Sequence, residues 1–194
     1  MAYIYGLPTV LVREGLRVHT INKVAHSSIA KAMGPQRKTA FVDVPGEGLR
    51  FMCVRHPCDR IVSAWAFFCK VDGEDQLYPE LTKLGYYKGM PFKEFHRVCL
   101  AHHPKNIHTR KQIDFTGGFT MDWLCPLHNL NTHWELLREE FPFLLPLEHI
   151  NPSPRESEWE GYFTNKMRAE AENTFAKDVE LYQRALDHDK TRIR

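Results

Sequence analysis

The run at residues 49–54, LRFMCV, constrains the fold more than any other feature of the chain. It is mostly apolar and lacks the strict alternation of a half-exposed strand. That is the pattern of a strand covered on both faces, as in a parallel α/β sheet. The run stops at Arg55, and His56-Pro57 breaks the extended chain. Residues 58–70 then carry Ile61, Val62, Trp65, Phe68 and Cys69 at helical spacing. A similar unit lies upstream. Residues 16–21 (LRVHTI) alternate and are rich in β-formers, so they predict a strand. Residues 22–27 (NKVAHS) form a loop, and Ser27 caps a short helix over SIAKAM that Gly34-Pro35 ends. Strands alternating with helices predict an α/β sheet with parallel pairs.

The other segments fit the same class. Residues 71–89 carry weak periodicity and read as loop, and 92–101 as a helix. Residues 122–127 read as a short strand, 131–141 as an amphipathic helix, and the proline-rich 142–156 as extended chain. Thr164 caps a final single helix with an apolar stripe of Met167, Ala171, Phe175, Val179, Tyr182 and Leu186. There is no internal repeat, low-complexity tract or linker, so residues 1–194 are expected to form one domain.

Charge and cysteine usage narrow the setting. Lys and Arg number 26 against 24 acids, a formal charge of +2, which argues against bulk electrostatic binding of nucleic acid. The five cysteines are odd in number and none has CxxC spacing. Several sit in apolar runs, which points to a reducing, cytoplasmic compartment. The first residues lack a secretory signal pattern, and no stretch reaches the roughly 18 apolar residues of a membrane span. No membrane partner is expected. Nothing in the sequence marks an oligomeric state.

Two segments carry chemistry. The first is Lys23-Val24-Ala25-His26-Ser27-Ser28, between a strand and a helix. A loop there turns backbone N–H groups toward an anion, Lys23 adds a mobile charge, and the serines add hydroxyl donors. It has the role of a P-loop without the Walker glycines. The second runs from Val54 through Arg55, Pro57, Arg60 and Ser63. Arg55 stands where an apolar strand ends, at the sheet edge where open α/β sheets bind ligands, and its planar fork suits a phosphate. Ser63 lies about two turns into the next helix, where it can share that phosphate. Taken singly, the segments read more readily as a solvated helix cap and a surface arginine with a helical serine.

In this order, about thirty residues apart, they resemble the paired donor-binding motifs of the sulfotransferases, especially carbohydrate sulfotransferases of the family-2 type. The resemblance extends through His108-Thr-Arg-Lys-Gln112, the 123–141 segment, His149-Ile-Asn151-Pro-Ser153 and Phe175-Ala-Lys-Asp178-Val-Glu-Leu-Tyr182. It covers residues 16–186. It implies a P-loop-like three-layer α/β/α fold with a central, mainly parallel sheet. Residues 23–28 would hold the 5′-phosphosulfate of 3′-phosphoadenosine 5′-phosphosulfate (PAPS), and Arg55, Arg60 and Ser63 the 3′-phosphate. PAPS is implied as co-substrate, with no metal, and a small molecule or glycan as acceptor.

The implied reaction is in-line displacement at sulfur. Lys23 would stabilise charge on the leaving phosphate. His108 is the first candidate for general base because it lies in the acceptor-side His stretch, and His26, inside the donor loop, is the second. The chain departs from the family pattern at four positions. Asn22 stands for a proline, His26 for a small residue or cysteine, Lys111 for a proline and His128 for a glutamate. Cys99 with His102 or His103, and Cys125 with His128, have short ligand-like spacings but form no zinc signature. Trp65, Phe67 and Phe68 read as core, with an adenine wall as the alternative, and Lys105, Arg110 and Lys111 form a basic cluster beside His108. Two rival functions remain open at this point. One is a non-catalytic nucleotide-binding module of the same fold; the other is a small-molecule kinase, which the missing Walker glycines disfavour.

Overall fold

The computed structural model describes residues 9–40, 48–70, 79–148 and 158–192. The chain opens with a hairpin of β1 (Thr9–Arg13) and β2 (Leu16–Thr20), paired antiparallel from Thr9↔Thr20 to Arg13↔Leu16. Its two-residue turn is Glu14-Gly15, with φ of 44° and 84°, the doubly positive geometry whose twist matches paired strands. A short helix α1 (His26–Ala32) follows, and then β3 (Arg37–Ala40), antiparallel to β1. Gly48 leads into β4 (Leu49–Val54). A Cβ at Gly48 would collide with the carbonyl oxygen of Gly15, so the hairpin turn and the start of β4 approach as only glycine allows.

The sheet order is β3-β1-β2-β4-β5, with β5 at Trp123–Pro126. Strands β2, β4 and β5 form the parallel part expected from the sequence. Strands β1 and β3 extend it on one side as an antiparallel addition that the sequence reading did not include. Every residue of β2 and β5 is buried, as are the last four of β4, so both faces of the parallel part are covered. The fold is therefore α/β, as expected.

Helix α2 (Pro57–Trp65) leaves β4 directly. Proline occupies its first turn, and the His56 Nδ1 accepts from the Cys58 N–H at 3.3 Å to cap it. The helix then widens into a π-turn over Ala66–Lys70, where a single α-helix to Lys70 was expected. After these come α3 (Pro79–Lys83), in a stretch read as loop, α4 (Phe92–His102), α5 (Leu130–Glu140), α6 (Asn165–Thr174) and α7 (Ala176–Arg192).

Two apolar clusters explain how these pack. One joins the sheet to α1, α5 and α7 around Phe51, Trp123 and the fully buried Trp134. The other is helical and joins α2, α4 and α6 through Trp65, Phe95 and Ala171. The closing stripe was expected to form one helix, but the chain breaks at Phe175. Met167, Ala171 and Phe175 serve the helical cluster, but in α7 the fully buried apolar positions are Leu181 and Ala185, which serve the sheet cluster, while the expected Val179, Tyr182 and Leu186 are only half-buried. One straight helix would have to face both at once. Ser27 also does not cap α1 as expected. The helix starts two residues earlier, at His26, after a left-handed Ala25 with no side-chain cap.

Candidate active site

The loop between β2 and α1 is bent by two non-glycine residues in the left-handed region, Lys23 (φ 67°) and Ala25 (φ 50°). Such residues cost backbone energy unless their surroundings hold them. Val24 anchors the loop by burial, and its N–H reaches the Ile21 carbonyl at 3.2 Å. Two arginines hold the adjacent carbonyls. Arg55 Nη1 donates to the Lys23 oxygen at 3.2 Å, and Arg60 Nε donates to the Asn22 oxygen at 3.0 Å. The two segments that the sequence marked as separate anion ligands are thus bonded to each other.

Arg55 leaves the end of β4 in a defined direction. Its Nε and Nη2 reach both oxygens of Asp59, at 2.6 and 3.0 Å, a bidentate pair across one turn. A guanidinium has five N–H donors, and these bonds with the one to Lys23 use three of them. The backbone of Arg55 is clasped as well: its N–H donates to Gln112 Oε1 at 3.0 Å, and Gln112 Nε2 donates to its carbonyl at 2.7 Å. Gln112 is itself fixed by Asp178 of α7. The two Asp178 oxygens accept the Gln112 and Ile113 N–H groups at 2.7 and 3.0 Å. Burial pushes the Asp178 carboxyl up, against those two hydrogen bonds and the charge of Arg60.

Lys23 and His108 occupy one aromatic corner. The π-turn supplies Phe67 and Phe68. Lys23 Nζ lies 3.4 Å from the centre of the Phe67 ring, and the His108 ring stacks on Phe67 and meets Phe68 edge-on at 4.8 Å. Burial, with the charges of Arg55 and Arg60, lowers Lys23 to about 7. Burial, with the charges of Lys23, Arg60 and His26, lowers His108 to about 3. Asn22 reaches His108 Nδ1 with its side-chain nitrogen at 3.4 Å. Two electropositive groups thus share a corner that disfavours their protonation, an arrangement that suits an incoming anion.

The residues marked from sequence divide clearly. Lys23, Arg55 and His108 converge, and His26 is close enough to His108 to lower its basicity. Ser28 and Ser63 are buried hydroxyls on α1 and α2. Arg60, expected beside the phosphate, uses one N–H from each of its three nitrogens on a backbone carbonyl and is 3% exposed. Trp65 belongs to the helical core, its indole N–H bonded to the Met90 carbonyl at 2.8 Å. Arg110 turns back to the Pro104 carbonyl, and His128 lies 3.5 Å from the Tyr182 hydroxyl. The His149–Ser153 stretch lies outside the described residues. Sequence reasoning missed Asp59 as the partner of Arg55, although its i,i+4 spacing was legible, and weighed Phe67 as core or an adenine wall, where it is instead a neighbour of Lys23 and His108. A groove of about 910 Å³ at α4 and α6, lined by residues including His96, Arg97 and Met167, shares no residue with this site.

The order and spacing of the two segments, now seen joined at one sheet edge, agree with the result of comparison. A family model described as the sulfotransferase family matches residues 17–189. The chain belongs to the sulfotransferase family. That match spans both arginines, the lysine loop and most of α7. No curated protein and no solved structure is a significant match. As a sulfotransferase the protein is an enzyme of sulfuryl transfer. Among the described residues, no group of three or more His, Cys, Asp or Glu side chains could hold a metal ion, and no helix is long and apolar enough to cross a membrane.

Proposed function

We propose that this sulfotransferase takes its sulfuryl group from PAPS and passes it to a hydroxyl on a small-molecule or glycan acceptor. The observation that carries the reading is the junction of Arg55 with Lys23, which puts a strand-end guanidinium beside an amine lowered to about 7. The residues fit such a donor. Arg55 keeps two N–H donors beyond its bonds to Asp59 and Lys23, and Lys23 gains its charge when an anion arrives.

In this reading residues 23–28 (Lys23, Val24, Ala25, His26, Ser27 and Ser28) hold the 5′-phosphosulfate, and Arg55 and Ser63 the 3′-phosphate. The acceptor oxygen bonds to sulfur as the bond from sulfur to the bridging oxygen breaks. The electron pair stays on the leaving phosphate, where the Lys23 ammonium stabilises it. The acceptor proton passes to a base, with His108 first and His26 second. His108, lowered to about 3, is unprotonated at neutral pH and so open to a proton, and an anion that offsets Lys23 raises its basicity. All five cysteines are buried and free, which supports a reducing, cytoplasmic setting.

Titration calorimetry with 3′-phosphoadenosine 5′-phosphate (PAP), with 5′-AMP and ATP as controls, tests the donor site. Binding that needs the 3′-phosphate and is lost in Arg55→Ala is expected. Binding indifferent to both the 3′-phosphate and Arg55 would sink the reading.

A further inference from the structure

Arg60 is the most deeply committed charge in the site. Its three nitrogens reach three carbonyls from two separate loops: Nε to Asn22 at 3.0 Å, Nη1 to Arg110 at 2.5 Å and Nη2 to Ile107 at 3.3 Å. Asn22 immediately precedes Lys23 in the donor loop. Ile107 and Arg110 bracket His108 in the other loop. No residue between these loops is shared in sequence, so Arg60 is a physical bridge from one to the other.

We propose that Arg60 is a positioning residue that locks the donor loop and the His108 loop into one unit and so sets the placement of His108 relative to Lys23. The proposal rests on the donor reading above. Three further contacts support it. The Asn22 side chain meets His108 Nδ1 at 3.4 Å, a second link between the same two loops. The His108 N–H is held by Asn106 Oδ1 at 3.0 Å, which ties the histidine to its own loop. Asp178, which fixes the following turn through Gln112 and Ile113, also supplies the negative charge nearest in effect to Arg60.

The chemistry explains why an arginine stands there. A planar guanidinium offers five donors in fixed directions and stays charged even when burial lowers it to about 10. A lysine ammonium is a point charge on a flexible stem and cannot bridge the same three carbonyls. With each nitrogen bonded to a backbone carbonyl, Arg60 contributes order to the site.

The test separates a bridge from a phosphate ligand. Arg60→Lys and Asn22→Ala are compared with the wild-type protein and with Arg55→Ala. PAP and 5′-AMP affinities come from calorimetry. The His108 ring signals come from histidine-labelled protein by NMR, assigned with His108→Gln. Loss of a charged phosphate ligand costs about tenfold to a hundredfold in affinity, and here it would erase the preference for PAP over 5′-AMP. For Arg60→Lys the expected preference stays within about twofold of wild type, since no phosphate contact is lost. The PAP-induced change at His108 is expected to fall by more than half.

Asn22→Ala leaves the carbonyl that Arg60 uses. It is expected to keep wild-type stability, so its His108 signals isolate the side-chain link, and Arg60→Gln carries the test of the bridge if Arg60→Lys does not fold. A collapse of the preference in the Arg60 variant, or a wild-type His108 response in it, overturns the proposal. If the wild-type protein binds no PAP, the donor reading fails. The ligand-free His108 signals then decide: a shift in the Arg60 variant upholds the bridge, and unchanged signals reject it.

Discussion

Raising the pH from 7 to 9 is expected to weaken PAP binding steeply, and Lys23 is the reason. In the free protein burial, then the charges of Arg55 and Arg60, lower this amine from 10.5 to about 7. A phosphate beside it reverses the last two causes and favours the ammonium. Above pH 7 the protein must therefore take up a proton to bind. One linked proton changes the binding free energy by about 1.36 kcal/mol per pH unit, a factor of about ten in affinity. From pH 7 to 9 the loss approaches a hundredfold, less about twofold at the starting point where Lys23 is half charged.

Calorimetry in buffers of different ionisation heat counts the protons directly. Uptake of about 0.5 proton at pH 7 is expected to rise to about 0.9 at pH 8. The window above pH 7 is clean because phosphate groups of the ligand lose their second proton near pH 6. His108, lowered to about 3, stays neutral throughout. Lys23→Arg is the control, since an arginine is charged across the whole range and its profile should be flat. A wild-type slope below about threefold per pH unit would refute the account, because a single linked proton requires about tenfold. An equal slope in Lys23→Arg would assign the proton to another group.

Two further outcomes follow from the same geometry. Phe67→Ala removes the ring 3.4 Å from the Lys23 amine and admits water, so Lys23 should rise from about 7 and the onset of the affinity loss should move to higher pH, read from the same calorimetric series. Asp178→Asn puts an NH₂ group where one carboxylate oxygen accepts a buried N–H, and it strips Arg60 of a countercharge. The expected loss is about 2–3 kcal/mol in stability by denaturant midpoint, with a matching loss of order at Gln112 in amide exchange.

The elements legible in the sequence are those whose apolar pattern is set locally. The LRFMCV run gave β4 and the break after it gave α2, because a strand covered on both faces has to be apolar throughout. Strand β1 was missed because its turn uses Glu14 at positive φ, where glycine, asparagine or aspartate would have announced it. Strand β3, four residues of RKTA, has little strand signal of its own and exists through its pairing with β1. The break at Phe175 leaves no trace in the sequence, since the apolar stripe keeps its helical period across it. The break turns α7 so that Leu181 and Ala185, one residue off that stripe, enter the sheet core, while Met167, Ala171 and Phe175 stay in the helical one.

The candidate site divides along a similar line. Lys23, Arg55 and His108 were legible because their chemistry and spacing are written in side chains. The partners of Arg60 were not, because they are carbonyls, and a carbonyl is the same at every residue. That also bears on the departure at Asn22, where the family pattern has a proline. A proline offers the same carbonyl to Arg60, so the bond from Nε is indifferent to which residue stands at that position. What asparagine adds is an amide that reaches His108, which a proline ring cannot do. The substitution leaves the bridge through the backbone intact and adds a second one through the side chain. This departure from the family pattern thus ties the donor loop more firmly to His108.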